Sequence, residues 1–219
     1  MRQIAPNVHV AEAQQRFMGI EVGARMTVLE LEGGLLIHSP IAIDPKEVAK
    51  LGEPRWVIAP NLLHHLYIGP WIEAGVEAWA PTGLPEKRED LSFDGVLKPG
   101  DASPFGHEVE VLPMTSFAMT NEIALLHRPS KTLLVTDLLY NFPASAPWTT
   151  RAAMRCLCGY PGCTTSLIER FGMKHAIARE EIKALADWDF DRIIMAHGDV
   201  LETGGKDALR EGFRWLGDL

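Results

Sequence analysis

The chain has 219 residues, 47% of them hydrophobic and 23% charged, with a formal net charge of -8 at pH 7. That length and apolar content suffice for a sizeable core and fit one domain of α/β or α+β type over residues 1–219 better than two. The acidic balance argues against the basic surface by which a nonspecific nucleic-acid or anionic-membrane binder holds its partner. A small-molecule substrate is the expected partner, and composition leaves the oligomeric state open.

The first residues, Met1-Arg2-Gln3-Ile4-Ala5-Pro6, lack the apolar run of a secretory signal, and no segment is long and apolar enough to cross a bilayer. The expectation is a soluble, cytoplasmic protein. In chain order, residues 8–11 alternate weakly, and 25–32 with 35–39 flank Glu32-Gly33-Gly34, a hairpin signal because glycine accepts positive φ. Residues 45–51 then read as a short helix, 56–59 as a strand, 62–74 as a helix and 76–80 as a strand closed by Pro81. The segment 82–106, rich in Gly, Pro and charge, reads as loops with a short strand or two.

β structure returns at 107–112, 122–127 and 132–136, where the continuous apolar run Leu133-Leu134-Val135 suits a strand covered on both faces. Residues 149–157 and 178–188 suit helices, the second with Ile182, Leu185 and Ala186 on one side. A last strand at 191–196 and a closing helix at 208–216 complete the pattern. Two β-rich halves, each followed by helices, predict two packed sheets with helices outside.

The chemistry concentrates at strand ends. The run 56–59 is stopped by Pro60-Asn61 and followed by His64-His65. Neighbouring side chains diverge on a strand or helix, so two adjacent imidazoles serve one centre only from a loop or helix entry. Asp137 follows the strand at 132–136, and His197 follows the last strand. Two or three imidazoles with a carboxylate suit zinc or iron, with His64 and His65 also candidates for proton transfer. The plain structural readings are local packing for the histidine pair, a cap for Asp137 and an ordinary strand exit for His197.

Other features carry less. Cys156, Cys158 and Cys163 lack a fourth partner and a Cys-x-x-Cys pair, and read as buried or incidental thiols rather than a structural metal or redox site. His38, before Ser39-Pro40, is a candidate to support a ligand. Tyr67, Trp71, Tyr140 and Trp148 read as pocket wall or core, and His9, His107, His127 and His175 as structural.

The hairpin at 25–39, Leu133-Leu134-Val135-Thr136-Asp137-Leu138-Leu139 and Ile193-Ile194-Met195-Ala196-His197-Gly198 together resemble the metallo-β-lactamase superfamily. Asn121-Glu122-Ile123 with His127-Arg128-Pro129-Ser130-Lys131-Thr132-Leu133 resembles a branch known mainly as a domain of unknown function. The resemblance implies an αββα sandwich of two mixed sheets and metal-dependent hydrolysis of esters, thioesters, lactams or phosphodiesters. Its first signature, H-x-H-x-D-H, is reduced here to Asn61-Leu62-Leu63-His64-His65-Leu66, and the middle histidine is missing from residues 112–118.

Asp137 falls where the family has its metal-bridging carboxylate, and His197 where it has its last histidine. The resemblance therefore implies a reduced site for one ion, zinc or iron, with His64, His65, Asp137 and His197 as the ligand set. The alternative is an inactive, metal-free relative that binds a small ligand or a protein. Oxygen or redox chemistry at iron is a third reading.

Overall fold

The computed structural model describes residues 1–217 and 219. Its strands are β1 (Arg2–Ala5), β2 (Val8–Ala13), β3 (Arg16–Phe17), β4 (Ile20–Glu21), β5 (Ala24–Leu31), β6 (Gly34–His38), β7 (Pro54–Ile58), β8 (Glu77–Pro81), β9 (Gly95–Leu97), β10 (Val109–Pro113), β11 (Ile123–His127), β12 (Thr132–Leu134) and β13 (Arg192–Ile194). The helices are α1 (Pro45–Val48), α2 (Gly69–Glu73), α3 (Leu84–Lys87), α4 (Trp148–Cys156), α5 (Leu167–Gly172), α6 (His175–Asp187) and α7 (Gly205–Gly212).

One sheet runs β1-β2-β5-β6-β7-β8-β9, antiparallel as far as β6 and parallel from β6 to β9. The other runs β10-β11-β12-β13, and only its last pair is parallel. Strand alternation sorts the side chains into layers. Leu36, Trp56 and Ile58 face across to Leu125, Leu134 and Ile194 in one cluster between the sheets. Leu35, Ile37 and Val57 point the other way, onto Val48, Trp71 and Leu84 of α1, α2 and α3. Leu133 and Ile193 pack outward on Ile182 and Leu185 of α6 and Leu209 of α7. The order of layers is helix, sheet, sheet, helix, an αββα sandwich.

The helix read over 62–74 is a correction: only Gly69–Glu73 is helical, and residues 61–67 form bends and turns. The physical reason is local. Asn61 Oδ1 accepts the backbone N–H groups of Leu63 and His64, a turn that competes with helix, and Pro70 supplies no N–H of its own. The sequence reading also missed β1, the β3–β4 hairpin and α5, which are short elements without a sustained apolar period.

Candidate metal centre

In the parallel parts of both sheets the strands deliver their carboxyl ends to one edge. His64 follows β7, while Asp137 and His197 leave β12 and β13, which are parallel neighbours. Crevices outside such strand ends are where open sheets of this kind hold ligands. The structure brings His64, Asp137 and His197 together, with one ligand-type atom from each within 4.8 Å of the others.

Within that group the two Nε2 atoms of His64 and His197 are 3.3 Å apart. Asp137 spans them, with Oδ1 3.2 Å from His197 Nε2 and Oδ2 3.5 Å from His64 Nε2. His197 Nδ1 donates to the carbonyl of Gly23 at 2.8 Å. A carbonyl only accepts, so in the neutral ring Nδ1 carries the hydrogen and Nε2 presents a bare lone pair. His64 Nδ1 shares a hydrogen bond with Ser39 Oγ at 3.0 Å, which turns its Nε2 inward in the same way.

Electron pairs facing one another at these separations repel unless a hydrogen on His64 Nε2 or a cation lies among them. Donors of a tetrahedral zinc site, with bonds of about 2.0–2.1 Å, are about 3.3 Å apart. The donor set therefore fits one divalent ion.

The electrostatics agree. Burial works to raise the Asp137 carboxyl, but the charge of His64 and the ring hydrogen bonds of His197 and His64 overcome it and hold the group well below the usual carboxylate range.

Two buried residues that the sequence reading did not single out build the frame. Asn61 Nδ2 donates to Asp137 Oδ2 at 2.7 Å and to Thr136 Oγ1 at 2.8 Å. Glu122 Oε1 accepts from the Thr136 N–H at 2.5 Å, and its Oε2 accepts from the Asp137 N–H at 2.9 Å, so it fixes the backbone on which Asp137 stands. Burial and the neighbouring charge of Asp137 push Glu122 up to about 7, against the pull of those N–H donors. The available signals were Pro60-Asn61 after a strand, a turn pair, and a glutamate opening an apolar strand.

His65 stands apart from the group. Arg88 Nη1 donates to its Nδ1 at 3.0 Å, and burial with the charges of Lys87 and Arg88 lowers its pKa. In this loop the two rings diverge, His64 inward to His197 and Asp137 and His65 toward Arg88 at the end of α3.

His38 lies buried one residue before the serine that holds His64, and burial and the charge of His64 push it down to about 3. Tyr140 stacks on His197, with ring centroids 6.1 Å apart and planes 18° apart, whereas Trp71 is core and Trp148 is exposed. Cys156 and Cys158 are exposed, and burial pushes the Cys163 thiol up to about 11. No helix among the described residues is long and apolar enough to cross a membrane.

No family model matches the sequence, and no curated protein matches it. Solved structures do. The metallo-β-lactamase of Erythrobacter litoralis is 13% identical, with a TM-score of 0.71 over 100% of this chain and 96% of that one. The mono-zinc form of FIM-1 from Pseudomonas aeruginosa is 11% identical, with a TM-score of 0.69 over 99% and 95%. The metallo-β-lactamase from Pontibacter korlensis is 11% identical, with a TM-score of 0.67 over 100% and 98%. The architecture expected from the strand and loop motifs is thereby borne out: this chain has the metallo-β-lactamase fold.

Proposed function

We propose that the chain is a metal-dependent hydrolase of small molecules, with one divalent ion, zinc or iron, held by His64 Nε2, Asp137 and His197 Nε2. The observation that carries this reading is the set of facing donors, 3.2 to 3.5 Å apart, with the His197 lone pair fixed toward Asp137. The mono-zinc form of a protein with the same fold supports a single ion. Such an ion, when bound, polarises a carbonyl or phosphoryl oxygen and brings the pKa of water to about 7.

The residues of this chain supply orientation. Ser39 and Gly23 set the two rings through their Nδ1 atoms, and Asn61 with Glu122 holds the Asp137 carboxylate between them. Tyr140 covers one face of His197. The proton-carrier role expected of a second histidine has no support at His65, whose Nδ1 is taken by Arg88.

The rim favours an apolar substrate portion. Leu66 and Met119 are exposed on adjoining loops, joined by the Leu62 N–H donating to the Thr120 carbonyl at 2.8 Å. Phe17 and Met18 are exposed on the β3–β4 hairpin, which leads into Gly23 beside His197. These exposed apolar side chains lie on segments that lead into the site, and they support an apolar substrate portion.

The test is metal analysis of protein prepared without a histidine tag, combined with hydrolysis of a panel of apolar esters, thioesters and lactams. The expectation is one ion per chain, kept in His65→Ala and lost in His64→Ala, Asp137→Ala and His197→Ala. A parent protein that takes up no zinc, iron or manganese would replace this reading with a metal-free binding module.

A further inference from the structure

Arg25, in β5, is a buried cation with only 5% of its surface exposed. A guanidinium taken out of water needs its charge and its N–H groups met by partners. Nη1 donates to the Met195 carbonyl and Nη2 to the Gly198 carbonyl, both at 2.5 Å. Nε and Nη2 reach Glu12 Oε1 at 3.2 and 2.9 Å.

The two carbonyls flank His197 on either side, and they belong to the segment that leaves the opposite sheet after β13 ends at Ile194. Two residues before Arg25, the Gly23 carbonyl accepts from His197 Nδ1. One short stretch, residues 23–25, thus grips residue 197 at three points: the backbone before it, the backbone after it and the ring.

We propose that Arg25 is a positioning residue for His197, whose planar pair of donors sets where that residue sits and so which ring nitrogen faces Asp137. Lysine keeps the charge but cannot bridge two carbonyls with the fixed geometry of a guanidinium. The metal part of the test rests on the hydrolase reading, and the ring part does not.

Long-range proton–nitrogen correlations on metal-free protein labelled with nitrogen-15 histidine report which ring nitrogen of His197 carries hydrogen. Wild type is expected to show the Nδ1–H form, and Arg25→Lys a mixture of both forms in a chain that still unfolds cooperatively. Zinc affinity, read by competition with a chromophoric chelator, should fall about 10- to 100-fold in Arg25→Lys.

An unchanged ring form in Arg25→Lys overturns the proposal, and so does an unchanged zinc affinity. Should Arg25→Lys not fold, the wild type still decides: the Arg25 Nη1 and Nη2 hydrogens that meet the Met195 and Gly198 carbonyls are expected to be protected from solvent exchange, and fast exchange overturns the clamp. A wild type that binds no zinc removes the hydrolase reading, while the ring comparison still judges Arg25.

Discussion

The Asn61 carboxamide joins two of the three candidate ligands: its Nδ2 donates to Asp137 Oδ2 at 2.7 Å, and its Oδ1 accepts the backbone N–H of His64 at 2.7 Å. One fully buried side chain therefore sets both the aim of the carboxylate and the turn that presents the imidazole. Its two ends are separable by mutation. Aspartate keeps the acceptor for the turn but turns the donor into a charge beside Asp137, while alanine removes both.

Asn61→Ala should lower metal affinity about 10- to 100-fold and cost about 1–3 kcal/mol for each buried group left without a partner. Asn61→Asp should destabilise the metal-free protein more than its metal-loaded form, since added positive charge relieves the two facing carboxylates. Chelator competition and urea unfolding with and without zinc measure the two effects. Equal destabilisation in both forms would contradict the electrostatic account.

His38 provides a pH signature. Burial and the charge of His64 push its pKa down to about 3 in the folded chain, against about 6.5 when unfolded. Between those values the unfolded state binds more protons, so this group's contribution is complete above about pH 6.5 and is lost as pH falls toward 3. At about 1.4 kcal/mol per pH unit, the loss from pH 7 to 4.5 is about 3 kcal/mol. His38→Gln should unfold with a shallower acid dependence than wild type by that amount. Parallel curves in the two proteins would show that His38 does not titrate on unfolding.

The layers were legible because they follow from apolar periodicity: the runs at Leu133 and Ile193 and the hairpin around Gly33-Gly34 each became the strands they suggested. Asp137 and His197 were legible as strand exits, since a polar side chain just beyond a buried strand has few structural duties. The loop between them and β7 was not. Whether 61–68 became helix or turn depended on Asn61 capturing two N–H groups, and that in turn decided which of His64 and His65 faced inward. Glu122 and Arg25 were out of reach for a related reason: their partners are backbone groups of Thr136, Asp137, Met195 and Gly198, which carry no side-chain signal.

Gly198 tests how tightly the exit after His197 is built. Its φ is +85°, and a Cβ placed there would lie 2.2 Å from the Asn141 carbonyl oxygen and 2.7 Å from the Phe142 nitrogen, so backbone would have to move. Gly75 has nearly the same φ, +80°, with no atom within 4 Å of such a Cβ. Alanine at Gly75 should therefore cost about 1 kcal/mol, the strain of the backbone conformation alone. Alanine at Gly198 adds the collision, for about 2–4 kcal/mol in all. Because Gly198 O is also an acceptor for Arg25, the shift should reach the ring of His197, and Gly198→Ala should lose zinc affinity while Gly75→Ala keeps it. Urea unfolding and chelator competition on the pair decide the matter: equal costs at the two positions would mean that the crowding around Gly198 is relieved without disturbing the histidine.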